Sequence, residues 1–133
     1  MTLILSMFTN ITSAQERPAY NAGAFYPANP AEITSLITAY LKNAGAKTLP
    51  QKPFGIIVPH AGYIYSGPVA AYAYREVKDQ KYDAVIVLAP CHVEYFPFAA
   101  IYPGDAYLTP LGKVAVDKKL AAQCVTADRL VKL

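Results

Sequence analysis

His60 and His92 are the only two histidines in the 133-residue chain. Each stands just beyond a short apolar run broken by proline: Phe54 to Val58 leads into Pro59-His60, and Ala84 to Leu88 into Ala89-Pro90-Cys91-His92. Neutral imidazole suits iron, copper and zinc, so two rings at one place begin a transition-metal site that a third ligand would complete, leaving positions open to substrate. Two nitrogens bound to one ion at about 2.0–2.2 Å lie roughly 3–4.5 Å apart, which is a definite geometric demand on residues distant in sequence. Equally open at this level is a plainer role in which each ring hydrogen-bonds within its own loop.

For the rings to meet, the runs before them must be neighbours. Both runs lack polar alternation, the pattern of strands covered on both faces. Between them Gly67-Pro68 is expected to open a helix reaching about Lys78, its Ala70, Ala71 and Ala73 small enough for close packing. A right-handed crossover of this length makes the two strands parallel, and puts both histidines at the carboxyl edge of the sheet, where open α/β folds bind ligands. Gly62 and Gly67 are expected to shape the turn from His60 into the helix through positive φ angles. The helix start would turn free amides and a positive dipole end to the same edge.

Upstream, Asn29 as cap, Pro30 at the first position, and Ile33, Leu36, Ile37, Tyr40, Leu41 and Ala44 at helical spacing predict an amphipathic helix ending at Gly45. Residues 46–53 read as a linker. Downstream, 99–102 and 106–108 read as short strands, Thr109-Pro110-Leu111-Gly112 as a tight turn, and Asp117 as the cap of a last helix running to the C-terminus. Asp105 reads as a turn residue. The fold class is α/β, a partial three-layer sandwich with a parallel βαβ core.

Hydrophobic residues at 54% against 16% charged supply a core, and the net charge of +3 comes from scattered residues, so no basic stripe marks a nucleic-acid partner. No apolar run reaches the roughly 18 residues of a membrane span, and phosphate-binding glycine loops are lacking. Residues 1–16 combine the apolar Leu3 to Phe8 with small residues at Thr12 and Ala14, like a signal-peptide remnant without its basic start. That reading would make the protein extracytoplasmic; a plain apolar N-terminus leaves it cytoplasmic. Cys91 and Cys124 read as free, buried thiols.

Four blocks of sequence carry a family resemblance: Gly23-Ala24-Phe25-Tyr26-Pro27, Pro59-His60-Ala61-Gly62-Tyr63-Ile64-Tyr65-Ser66-Gly67, Leu88-Ala89-Pro90-Cys91-His92 and Tyr107-Leu108-Thr109-Pro110-Leu111-Gly112. In that order they resemble the N-terminal half of the MEMO family, also named AmmeMemoRadiSam system protein B, over residues 17–133. The resemblance implies a fold similar to class III extradiol dioxygenases and a related pocket of two histidines and a later cysteine. On that basis His60 and His92 are metal ligands for Fe(II) or copper, and Tyr26, Tyr65, Gly62 and Gly67 belong to the surrounding pocket. The remaining family ligands lie in a half this chain does not contain, and Cys124, on a helix among small residues, does not stand in for the later cysteine. Such a chain is expected to be truncated, to leave both apolar runs exposed, and to be inactive alone. Two functions follow: a non-haem iron or copper oxidoreductase, or a non-catalytic protein binding a ligand, peptide or partner through a vestigial pocket. The family name implies a radical-SAM protein and an AMMECR-type protein as partners.

Overall fold

The structure, a computed structural model, describes residues 14–45 and 49–133. The signal-remnant reading therefore falls outside the described residues up to position 13, as does the linker at 46–48. In chain order the elements are β1 (Glu16–Arg17), α1 (Pro30–Asn43), α2 (Tyr63–Val77), β2 (Ala99–Ala100), β3 (Ala106–Thr109), β4 (Gly112–Ala115), α3 (Lys118–Ala127) and β5 (Val131–Lys132).

Helix α1 forms where its signals place it. The Asn29 side chain accepts from the amides of Ala31 and Glu32 at 2.8 and 3.2 Å, satisfying two donors that have no partner within the helix. At the other end the Ala44 amide donates to the Tyr40 carbonyl, and Gly45 turns the chain out at φ +56°, where a side chain would be strained. Ile33 within the helix and its cap residue Ala44 are buried.

Helix α2 begins a full turn earlier than its proline suggested, at Tyr63 instead of Gly67-Pro68. Pro68 lies inside it and removes one donor, leaving the Ile64 carbonyl without its helical partner. Because Ile64 is exposed, water can serve that carbonyl. Neither glycine adopts the positive φ expected of it: Gly62 precedes the helix at φ −55°, and the described glycines with positive φ are Gly23, Gly45 and Gly112. Gly67 serves packing instead. A Cβ there would lie 2.5 Å from the Tyr40 ring, so its hydrogen lets α2 close on α1 beside the buried Ala70 and Ala71. The Arg75 guanidinium donates to the Leu41 carbonyl at 2.9 Å and ties the pair at a second point.

A three-stranded sheet, ordered β1-β3-β4, has β1 parallel and β4 antiparallel to β3. Its hairpin closes through Thr109, whose hydroxyl donates to the Gly112 carbonyl at 2.8 Å and accepts from the Leu111 amide at 3.1 Å; Gly112 takes φ +125°. Asp105 does more than turn the chain. Its amide donates to the Gln15 carbonyl at 2.6 Å, its carboxylate accepts from the Gln15 amide at 2.7 Å, and Lys118 stands 3.0 Å from the carboxylate. The Gln15 amide first, then Lys118, hold the carboxyl below its usual range. Lys113 pairs with Glu16 across the same sheet. The N-terminal β1 and the second hairpin strand β4 were not expected from the sequence. Asp117 caps α3 by accepting from the Leu120 amide at 2.9 Å, but the helix stops at Ala127 and the chain returns as β5, parallel to β2.

The two apolar runs are exposed, as expected, but their backbone departs from expectation. Neither 54–58 nor 84–88 joins a ladder among the described residues, so the parallel βαβ pair is not formed as a sheet, although its connecting helix is. Phe54 and Ile57 are fully exposed, and Val85 to Leu88 are 66–87% exposed. A run without polar alternation records what a strand is suited to, whereas a ladder requires a second backbone alongside to take its amides and carbonyls.

Gly67→Ala separates packing from propensity. Alanine in a helix interior gains about 1 kcal/mol over glycine, while forcing atoms into a filled contact costs about 1–3 kcal/mol. Chemical denaturation should show Gly67→Ala destabilised in the native background and stabilised when Tyr40 is also changed to Ala.

Candidate metal centre

The turn carrying His60 is pinned from two sides. From α2, the buried Ser66 hydroxyl reaches back to the Ala61 carbonyl at 2.8 Å and, more loosely, to that of Gly62 at 3.3 Å. From the N-terminal loop, the Phe25 carbonyl accepts the Tyr63 amide at 2.8 Å, one of the donors a helix start leaves unpaired. Gly62 permits that approach, since a Cβ would come within 3.3 Å of the Phe25 oxygen. The loop is shaped by Gly23 at φ +83°, whose amide donates to the Tyr26 carbonyl at 2.7 Å.

Against this fixed turn the second histidine arrives. The Nε2 atoms of His60 and His92 are 3.2 Å apart, with ring centroids at 5.3 Å and planes inclined by 30°. At that distance the pair can share one proton, donor to acceptor, when one ring carries hydrogen on Nε2 and the other on Nδ1. It equally suits two lone pairs directed at one ion: with bonds of about 2.0–2.1 Å the separation corresponds to a nitrogen–metal–nitrogen angle of roughly 100–105°, near the tetrahedral value. The donor set thus fits two positions of a borderline metal. Among the described residues no group of three His, Cys, Asp or Glu side chains completes it.

The histidines open onto a cleft of about 520 Å³ whose other walls are Phe25, Pro59 and Ala61. Phe25 went unnoticed as a wall residue, although it sits at the centre of the Gly23 to Pro27 block. Of the pocket residues inferred from resemblance, Gly62 lies in the pinned turn, while Tyr26 packs on Tyr63 with ring centroids 5.3 Å apart. The Tyr65 ring lies beside Gly62 and is largely exposed, and Gly67 is under Tyr40 in the helix pair. None of Tyr26, Tyr65, Gly62 and Gly67 lines the cleft. Cys91, expected to be buried, is exposed beside His92, and Cys124 is half-buried on α3.

Residues 17–133, which include this turn and cleft, match the family described as Memo-like protein. The chain belongs to the Memo-like family. A MEMO1 family protein of Thermoplasma volcanium is 35% identical over 102 residues, covering 77% of this chain and 37% of the relative. One from Sulfolobus acidocaldarius is 35% identical over 123 residues, covering 84% and 43%, and one from Saccharolobus solfataricus is 35% identical over 122 residues with the same coverage. This Memo-like chain therefore spans less than half the length of the curated relatives it matches. No helix among its described residues is long and apolar enough to cross a membrane.

Tyr63 provides a spectroscopic marker of the turn. Burial first, and then the nearby phenols of Tyr26 and Tyr74, push its hydroxyl above the ordinary phenol range. The folded state therefore favours neutral Tyr63. Its contribution to stability is complete below the ordinary phenol range and is lost as pH rises towards the folded value. Ultraviolet titration should reveal one late-ionising tyrosine that disappears in Tyr63→Phe, and alkaline unfolding should move to higher pH in that variant.

Proposed function

We propose that His60 and His92 are two ligands of a mononuclear Fe(II) or copper centre in a Memo-like protein of the oxidoreductase class. The fold that reading implies is a three-layer sandwich similar to class III extradiol dioxygenases, with further layers and the remaining ligand outside this chain. The supporting observation is the 3.2 Å approach of the two Nε2 atoms at the mouth of a cleft. A protonated imidazole has no lone pair to offer, so the pair can ligate only while both rings are neutral. Ser66 and the Phe25 carbonyl hold the His60 turn, and the Phe25 ring gives the cleft an apolar wall suited to an aromatic face. When bound, the metal would supply a Lewis acid and a one-electron redox couple. In the whole protein we assign the partners to a radical-SAM protein and an AMMECR-type protein, in line with the family name.

Two imidazoles without a third ligand should bind weakly. Calorimetric titration with Fe(II) under anaerobic conditions, and with Cu(II), should show weak binding that falls on acidification and is lost in both His60→Ala and His92→Ala. The chain alone should neither cleave catechol nor consume oxygen in its presence. Binding unchanged in both variants would remove the metal reading. Oxygen uptake that both variants abolish would show that two ligands suffice.

A further inference from the structure

Asp105 stands where β1, the hairpin and α3 come together. One oxygen of its carboxylate accepts from the Gln15 amide at 2.7 Å, and the other is 3.0 Å from the Lys118 ammonium at the start of α3. Its backbone adds two bonds that do not depend on the charge: the amide donates to the Gln15 carbonyl at 2.6 Å, and the carbonyl accepts from the Val116 amide, just past β4, at 2.9 Å. The strand that follows Gln15 is only two residues long, with Glu16 beside Ala106 and Arg17 beside Tyr107. So short a ladder offers few backbone bonds, while a hydrogen bond to an ionised acceptor is roughly twice as strong as a neutral one. Much of the hold on β1 is therefore ionic.

We propose that Asp105 is an acid-opened latch on the N-terminal strand: protonation of its carboxylate frees Lys118 and weakens the grip on Gln15, so that β1 leaves β3 while the hairpin and α3 stay in place. The hairpin survives because β3 and β4 pair over four residues each and the Val116 bond is backbone to backbone. Helix α3 keeps a neutral anchor, since Lys118 also donates to the Pro103 carbonyl at 2.6 Å. The charged groups around the latch are Lys118 from α3, Lys113 from β4, and on β1 Glu16, paired with Lys113, and Arg17, 5.9 Å from the ring centres of Tyr102 and Tyr107. Asp117, next to Lys118, is engaged with the Leu120 amide, and the Tyr102 hydroxyl donates to the Gln15 carbonyl at 3.3 Å. The Gln15 amide first, then Lys118, favour the charged carboxylate, so the latch is complete above the ordinary carboxylate range and is lost as pH falls through the lower folded value. Opening is local, and it bares the backbone edge of β3. It involves neither the metal nor the histidine pair.

The test is an NMR titration of the isotope-labelled, full 133-residue chain from neutral to acid pH. The Asp105 carboxyl carbon and the Gln15 amide should titrate together, with one midpoint below the ordinary carboxylate range. Overhauser contacts between Arg17 and Tyr107 should be lost across that same step, while those of the hairpin and of the α1–α2 pair remain. Asp105→Asn, which is neutral at every pH, should lack the Arg17–Tyr107 contacts already at neutral pH. Glu16→Gln removes the partner of Lys113 but leaves Asp105 in place, and its contacts should still disappear at the Asp105 midpoint. The proposal is overturned if the β1 contacts persist after Asp105 is protonated, if they vanish only together with the α1–α2 contacts in general acid unfolding, or if Glu16→Gln abolishes the transition. Because the first two results are read in the unaltered chain, a variant that fails to fold does not shield the proposal.

Discussion

The hydrogen bond from the Tyr63 amide to the Phe25 carbonyl joins three parts of the chain that are otherwise separate: the Gly23 to Pro27 loop, the His60 turn and the start of α2. It uses a donor that any helix start leaves free, and glycine at residue 62 eases it, since a Cβ there would press on the Phe25 oxygen at 3.3 Å. Ser66 adds the complementary restraint from within the helix. With the turn held on both sides, His60 presents Nε2 to His92, and Phe25 becomes a wall of the same cleft. The helix pair α1 and α2, closed by Gly67 under Tyr40, provides the rigid body to which this turn is anchored.

Much of this was legible because the signals are local. Asn29, Pro30 and Gly45 delimit α1, Asp117 caps α3, and Thr109 to Gly112 makes the hairpin turn, each through groups within a few residues. The approach of the histidines agrees with the expectation from their matching positions after two apolar runs joined by a helix, but the parallel strand pair expected to bring them together is not formed among the described residues. What misled was proline. Pro68 looks like a first helical residue, yet the helix starts at Tyr63 and takes the proline inside it, at the loss of one donor to the Ile64 carbonyl. Gly67 similarly invited a conformational explanation, while its role is steric and depends on Tyr40, which is distant in sequence.

The state of 54–58 and 84–88 was beyond local reading. Their composition describes an environment, and that environment must be provided by other backbone; β1 and β4 show the reverse, modest sequences that become strands because β3 lies beside them. Likewise Asp105 owes its clasp on Gln15 to pairing across most of the chain. Tyr26, Tyr65 and Gly67, assigned to the pocket through resemblance, lie around the turn or beneath it, and Phe25 carries the contact with the cleft.

The convergence of the two imidazoles on one point is the claim on which the functional account stands. Having only two histidines, the chain gives a simple long-range nitrogen–proton NMR spectrum of its rings. Titration with Zn(II), a diamagnetic stand-in, should move both Nε2 resonances together with a single affinity and leave both Nδ1 atoms protonated. Movement of one ring alone, or of Nδ1 in place of Nε2, would contradict a shared site.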